Sequence, residues 1–413
     1  MRHVAIVGSG PSGCYCAEAL LRAAPDCRVD IIDRLPTPFG LVRFGVAPDH
    51  QATKGVARLL DRVLAKPEVG FFGGVKLERD VTLDELRALY DAVVVATGAP
   101  VDRRLGIRGE DLPGVFASGR FVGWYNHHPD HAELDLGAVR TAVVIGSGNV
   151  ALDVARILVK SESEFHGSDL DVADAGTLAA SGIERVYVIG RSPASAMKFT
   201  EAELLEFGEL ERAYPRLGAG TDLGAGDGKA VAALKSVTQR VYASAPIEIV
   251  FEFGWTPVAF EGRDRLEAVR FTDSSGAQAR RPAQLAVTCI GYETRGHGLR
   301  VERGALANVD GLISEGLYVV GWAKRGPSGT IPANRTEAHA VAKRIAAEVT
   351  DGGRSGSAGL AAILAPRAVR SVDHAAWRRI DASEIARAEE TRSRRKWRSL
   401  DELFAASERD GAP

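Results

Sequence analysis

Residues Val4 to Gly13 read VAIVGSGPSG. Four apolar residues, the length of a buried parallel strand, run straight into Gly8-Ser9-Gly10-Pro11-Ser12-Gly13. Cys14 to Ala24 then reads as a helix. In a dinucleotide-binding turn the first glycine allows the tight bend, the second lets the backbone approach a pyrophosphate, and the third lets helix pack on strand. Gly8, Gly10 and Gly13 stand in those places. The helix N-terminus beyond them, with its free N–H groups and dipole, favours an anion. A second strand, Val29 to Ile32, ends at Asp33, whose carboxylate can accept from an adenosine ribose. A glycine-rich turn with no ligand is the competing reading, and it gives no reason for the strand before and the helix after.

The same pattern recurs. Thr141 to Ile145 is a strand, Gly146-Ser147-Gly148-Asn149-Val150-Ala151 is a second fingerprint ending in alanine, and Leu152 to Lys160 is a helix. Two fingerprints in one chain are far more specific than one. The matching second strand, Arg185 to Ile189, is followed by Gly190-Arg191-Ser192 rather than by an acid. A cation in that place suits a 2′-phosphate, so the first site reads as one for an adenosine with free ribose hydroxyls and the second as one for NADPH. The alternative is that Arg191 is an ordinary surface arginine.

At 413 residues the chain exceeds what one core usually supports, which predicts two domains. With 45% hydrophobic residues, 26% charged residues and a net charge of −2, it reads as a soluble globular protein and not as a dedicated nucleic-acid binder. No apolar run approaches the roughly 20 residues needed to cross a bilayer. No signal-peptide or Arg/Ser-rich pattern precedes the opening strand, so a cytoplasmic location is expected. Of the four cysteines, Cys14 and Cys16 are spaced CxC, which suits neither a disulfide nor a CxxC redox centre. His127, His128 and His131 invite a metal reading, but Pro129 breaks any helical register and no cysteine accompanies them, so no metal is expected.

Between the fingerprints, Pro36 to His50 is apolar yet rich in proline and glycine, a loop that should pack against something such as a ring-shaped ligand. Thr53 to Leu64 and Leu83 to Leu89 are predicted helices, Val75 to Leu77 a short strand, and Asp91 to Ala99 a buried strand closing the first domain's opening part. Thr200 to Glu211 reads as a helix whose many carboxylates are mostly a solvated face. Ile247 to Phe253, Leu266 to Thr272 and Ala286 to Ile290 read as strands of a small sheet, and Gly291 to Thr294 as the return crossing. Gly316 to Trp322 is a further buried strand, with Trp322 placed to lie against a flat ring and a helix from Asn334 to Val349 just beyond. The tail arginines Arg378, Arg379, Arg394 and Arg395 are expected to be solvated.

PFGLVRFGVAPDH, GSGNVALDVAR, FTEAEL and YVVGWAKRGPSGTI, with LGIRGEDLPGVF, FVGWYNHHPD and DHAAWRRIDASEIA, resemble the adrenodoxin reductase type of ferredoxin–NADP reductase over nearly the whole chain. The resemblance implies an α/β fold with two Rossmann-like dinucleotide-binding domains. Residues 1–103 plus 291–413 would bind FAD, and an inserted domain of residues 104–290 would bind NADP. It implies hydride transfer from NADPH to FAD, then single electrons to a ferredoxin or adrenodoxin-like iron–sulfur protein, by an enzyme that is a monomer. Carried over, Ser12, Asp33, Leu41, Leu77, Trp322, Gly329, Thr330 and Ile331 would hold FAD. Ser147, Gly148, Asn149, Val150, Arg191, Glu203 and Gly329 would hold NADP. His50 and Glu203 would flank the nicotinamide, supported by Asp153. Hydride transfer needs positioned rings and a dry site, with no nucleophile or metal, so the two lines of reading agree.

Two departures stand out. The family follows its Gly-Arg with a second arginine, whereas here Ser192 follows Arg191, so weaker NADPH preference and some NADH use are expected. The basic cluster usual after the FTEAEL helix is replaced by scattered Arg212, Arg216, Lys229, Lys235 and Arg240, so weaker docking on an acidic ferredoxin, or a different partner, is expected. The alternatives are another NAD(P)H-dependent flavoenzyme such as a monooxygenase, or a non-enzymatic NADP(H) sensor; the lack of CxxC removes a disulfide reductase.

Overall fold

Two six-stranded sheets organise the chain. The computed structural model describes residues 1–413 except 132, 133, 135, 222, 225–227, 241–244, 330 and 409–413, so the Thr330 assignment lies outside the described residues. In the first sheet the order is Leu312–Ser314, Leu317–Val319, Ala92–Val95, Arg2–Val7, Cys27–Asp33 and Val69–Gly73. Only the Leu312–Ser314 strand pairs antiparallel. In the second the order is Val115–Ala117, Leu285–Thr288, Thr141–Ile145, Arg185–Gly190, Ile247–Phe253 and Ala213–Leu217, all parallel. Apolar clusters cover both faces of each sheet, which is why AVVV at 92–95 and TAVVI at 141–145 are near-continuous apolar runs rather than alternating ones.

Each sheet has one point where the strand order reverses, and each fingerprint sits there. From Arg2–Val7 the chain winds outward through Cys27–Asp33 to Val69–Gly73, then returns to the other side at Ala92–Val95. Thr141–Ile145 likewise sends the chain outward to Arg185–Gly190 and brings it back at Leu285–Thr288. A crevice at the carboxyl ends of the strands is the outcome at both places. The crossings between the sheets, Val101–Asp102 and Tyr292–Glu293, pair with each other antiparallel.

The segment between helices His374–Ala386 and Leu400–Glu408 ties the parts together. After helix His374–Ala386, Gly167 N–H donates to Thr391 O (2.8 Å), Ser393 N–H to Ser168 O (2.8 Å) and Arg392 Nε to Leu170 O (2.8 Å). Beneath this strap Lys396 Nζ and Lys54 Nζ approach one carboxylate, Asp169, at 2.8 and 3.1 Å, all three side chains buried. Arg43 pairs with Glu384 at 2.6 Å in the same region. The tail arginines are therefore not simply solvated: Arg394 pairs with Asp381 (2.7 Å), Arg395 with Asp171 (3.0 Å) and Arg378 with Asp61 (3.0 Å).

Several local expectations need correction. The predicted helix over 53–64 is broken at Gly55-Val56 into Gln51–Lys54 and Ala57–Leu64. The sheet's edge strand is Val69–Gly73, not Val75 to Leu77, which contributes only a bridge from Leu77 to Val81. The carboxylate-rich helix is short, Glu201–Leu205, followed by a 3₁₀ turn at Glu206–Gly208. Ile247–Phe253 and Leu285–Thr288 belong to the large parallel sheet; the small antiparallel one is Thr256–Glu261, Ala268–Thr272 and Gln278–Pro282. Trp322 opens a one-turn helix rather than ending a strand. Helices Val172–Ala179 and Lys229–Thr238 have no counterpart in the sequence reading.

Candidate functional site

The two fingerprints have matching local geometry. Gly8 has φ +116°, and a Cβ on it would lie 2.4 Å from Ala96 O on the returning strand. A Cβ on Gly146 (φ +156°) would lie 2.4 Å from Cys289 O, again on the returning strand. These two positions require glycine for the chain to turn between strands. A Cβ on Gly13 would lie 2.0 Å from Gly8 O, while its counterpart Ala151 is fully buried. Gly10 and Gly148 are different: a Cβ on either would meet nothing within 4 Å. Helices Pro11–Ala23 and Asn149–Val159 both begin there with no side chain capping them. The folded chain leaves those two glycines unfilled and those N–H groups unclaimed by side chains, the cradle a pyrophosphate occupies.

Around the first cradle, Asp33 accepts from Ser9 N (2.8 Å), Ser9 Oγ and Leu35 N (3.0 Å) at the carboxyl end of its strand. A Cβ on Gly321 would lie 2.2 Å from Ser12 Oγ, so Gly321 lets the returning chain touch the fingerprint helix. Leu41 is half exposed, unusual for a leucine in an otherwise buried loop. Leu77 has its side chain in the core beneath the sheet. Trp322 stacks on Tyr292 with ring centroids 6.2 Å apart and planes 20° from parallel, and its Nε1 donates to Ser328 O (3.1 Å). Gly329 is exposed with φ +82°, and Ile331 opens helix Ile331–Glu348.

Around the second cradle, Lys198 N–H donates to Ser147 O (2.7 Å), and Asn149 exchanges hydrogen bonds with Thr200, which caps the Glu201–Leu205 helix. Those contacts draw the Glu203 helix over the fingerprint. Val150 packs against the second core, Arg191 is exposed at the end of its strand, and Ser192 O accepts from Gly254 N–H (3.2 Å).

Beside the second cradle the structure gathers titratable groups from three segments. His50 comes from the proline-rich loop, Asp153 and Arg156 from the second fingerprint helix, Glu203 and Glu206 from the segment after Thr200. His50 Nδ1 is 3.9 Å from Asp153 Oδ1, and its Nε2 is 3.9 Å from Glu203 and 3.2 Å from Glu206. Glu203 Oε2 is buried without a hydrogen-bond partner in the protein. Burial first, and then the neighbouring Asp153, push the Glu203 carboxyl up to about 7. Burial likewise raises Asp153. A hydrogen bond donated by the ring to the Glu206 carboxylate is the main cause of a raised His50. Burial alone would raise Asp49 too, but Arg156 and Lys160 (2.6 Å) hold it at about 2.

Asp49, Arg156, Lys160 and Glu206 are absent from the sequence-derived site, although helical i,i+3 spacing links Asp153 to Arg156 and Glu203 to Glu206 and could have flagged both pairs. His50, Glu203 and Glu206 are the one grouping of metal-ligand type among the described residues. A guanidinium already fills the place of a cation there: Arg156 Nη2 lies 2.9 Å from His50 Nε2 and Arg156 Nε 3.0 Å from Glu206. His127 pairs with Asp174 (2.6 Å), and His128 lies against Phe44 and His131. Of the scattered basic residues, Arg216 pairs with Glu248 (3.2 Å), Arg240 with Glu209 (3.8 Å), and Arg212 donates to Ala179 O (2.9 Å).

Residues 2–204 match the profile of the pyridine nucleotide-disulphide oxidoreductases. Cys14 and Cys16 are buried and free, and burial pushes the Cys16 thiol up to about 12. Cindoxin reductase of Citrobacter braakii is 38% identical over 95% of this chain and 88% of its own length. The mitochondrial NADPH:adrenodoxin oxidoreductase of Arabidopsis thaliana is 35% identical over 98% and 95%. Among solved structures, Mycobacterium tuberculosis FprA in complex with NADPH superposes with a TM-score of 0.92 at 35% identity, covering 98% of this chain and 99% of that one. Among the described residues no helix is long and apolar enough to cross a membrane. The chain belongs to the family of NADPH-dependent adrenodoxin and ferredoxin reductases.

Proposed function

We propose that this protein is an FAD-dependent reductase that passes hydride from NADPH to FAD and then single electrons to a ferredoxin- or adrenodoxin-like iron–sulfur protein. The observation that carries the reading is the pair of matching cradles, each with an open glycine at an uncapped helix N-terminus, together with the His50–Asp153–Glu203 cluster on the second fingerprint helix. The domains are residues 1–103 plus 291–413 for FAD and 104–290 for NADP.

Gly8, Gly10, Ser12 and Gly13 hold the FAD pyrophosphate, and Asp33 accepts from the adenosine ribose. Leu41, Trp322, Gly329 and Ile331 complete that site, with Leu77 reaching it through its backbone because its side chain is in the core. Ser147, Gly148, Asn149 and Val150 hold the NADP pyrophosphate, with Glu203 and Gly329 toward the nicotinamide. Arg191 meets the 2′-phosphate, and Ser192 beside it loosens the preference over NADH. Bound FAD supplies the change from two-electron to one-electron chemistry. The protein supplies position and dryness. His50 and Glu203 flank the nicotinamide, Asp153 orients the His50 ring, and the proton that Glu203 retains near neutral pH keeps one negative charge out of a half-buried site. A cytoplasmic location and a monomer fit this reading, whose four cysteines are all unpaired.

Anaerobic titration of the purified protein, first with NADPH and then with NADH, tests it through the flavin absorbance band. Bleaching by NADPH, followed by reoxidation on adding an oxidised ferredoxin, is the expected result. Comparable bleaching by NADH would assign the relaxed choice to Ser192. Protein that carries no flavin after gentle purification and refuses added FAD overturns the reading.

A further inference from the structure

We propose that Arg156 is a positioning residue of this site: its guanidinium orients the His50 ring and decides which ring nitrogen carries the proton. The inference rests on the functional reading above, but its test is independent of turnover.

Arg156 is 1% exposed and makes contacts on every side. Its Nη2 lies 2.9 Å from His50 Nε2 and 2.9 Å from Asp153 Oδ1, its Nε 3.0 Å from Glu206 Oε2, and its Nη1 on Asp49 Oδ2. A guanidinium can only donate. His50 Nε2 must therefore present its lone pair to Arg156, which leaves the proton on Nδ1, the nitrogen facing Asp153. Glu206 Oε2, 3.2 Å from the same Nε2, asks for the opposite arrangement, a proton on Nε2. One nitrogen cannot satisfy both. Arg156 settles the competition by donating to Nε2 from Nη2 at 2.9 Å, closer than the Glu206 carboxylate at 3.2 Å.

The charges around the ring come from three segments: Asp49 from its own loop, Asp153, Arg156 and Lys160 from the fingerprint helix, Glu203 and Glu206 from beyond Thr200. Glu206, Asp153 and Asp49 pull a proton onto His50, and Arg156 opposes them. Arg156 lowers the proton affinity of both His50 and Glu203. Arg156 thus acts through His50 and needs no contact with the coenzyme.

The test is nitrogen NMR of the flavin-loaded protein labelled at histidine, with the His50 signals assigned by their loss in His50→Gln. In the wild type, above the ring's titration, the Nδ1–H tautomer is expected; an Nε2–H tautomer overturns the proposal without any further variant. In Arg156→Gln the His50 titration should move up by about one pH unit or more, as removal of a close cation requires. Arg156→Lys keeps the charge but not the fork, so it should restore the titration while losing the Nδ1–H preference. In Glu206→Gln the competing negative charge is gone, and the titration should fall. An Arg156→Gln titration unmoved from wild type also overturns the assignment. Bleaching of wild-type flavin by NADPH, read separately, tests the function itself.

Discussion

Asp169 is the one acid beneath the tail strap that faces two buried ammonium groups, and its neutralisation has a calculable cost. Lys396 Nζ at 2.8 Å and Lys54 Nζ at 3.1 Å both rely on it. Burial opposes its ionisation, yet the two lysines hold its carboxyl far below the usual range. Breaking a buried pair by removing one partner costs about 3–5 kcal/mol. In Asp169→Asn, Lys54 still donates to Asn126 Oδ1 (2.8 Å) and Arg43 O (3.1 Å), and Lys396 to Asn126 O (3.2 Å) and Arg43 O (3.3 Å). These neutral acceptors place the loss near the lower end, about 3 kcal/mol, or a fall in Tm of roughly 3–4 °C for a chain of 413 residues. Burial depresses the titration of both lysines in the folded state. The folded protein then binds fewer protons than the unfolded chain between the depressed values and the ordinary lysine range, so stability rises with pH across that window. Thermal unfolding of wild type and Asp169→Asn across neutral and alkaline pH, followed by near-UV circular dichroism, reads the effect. The deficit should shrink as pH rises, and Lys396→Met should recover part of it. A loss under about 1 kcal/mol at neutral pH, or one that does not change with pH, refutes the account of two buried charges sharing one acid.

Other outcomes follow from the site. Gly10→Val and Gly148→Val should fold, because a Cβ meets nothing at either position, yet the first should lose flavin and the second should keep flavin but lose bleaching by NADPH; equal flavin content and equal bleaching in both would reject the cradles. Glu203→Gln should retain flavin and slow its reduction, measured by stopped flow. Since the folded Glu203 titrates up to about 7 against about 4.5 when unfolded, wild type loses stability as pH rises through that window. The glutamine variant should therefore be the more stable protein above about pH 7 and equal to wild type below about pH 4; the reverse order would contradict the burial of that carboxyl. Arg191→Ala should raise KM for NADPH by roughly 10- to 150-fold and leave NADH nearly unaffected, the loss of a charge-assisted contact of about 1.5–3 kcal/mol. Equal effects on both coenzymes would remove Arg191 from the 2′-phosphate.

Much of this was legible from local pattern. Both fingerprints were read at the right residues, because a strand, a glycine turn and a helix declare themselves within a dozen positions. Sheet membership was harder. Ile247–Phe253 and Leu285–Thr288 are apolar runs that read the same in a small sheet or a large one, and only tertiary pairing assigns them to the parallel sheet. The fate of Glu206 was illegible for a related reason. It stands in a run of carboxylates that resembles a solvated face, and the loop bearing His50, more than 150 residues earlier, turns it inward. Arg394 and Arg395 misled in the same way, since a basic tail says nothing of acids waiting at Asp381 and Asp171.

The interleaved strand order bears on how the protein is made. All six strands of the second sheet lie between Val115 and Thr288, so that sheet can close while the ribosome is still at work. The first sheet begins earlier and finishes later: Ala92–Val95 has no neighbour on its outer side until Leu317–Val319 emerges. At synthesis rates of about 5–20 residues per second that wait lasts on the order of 10–45 s. Throughout it the AVVV edge, buried in the finished protein, is bare to any passing strand. The newborn chain is thus most prone to aggregate during the synthesis of its own middle, and a trigger-type chaperone holding that edge should matter more to its yield than the stability of the completed fold.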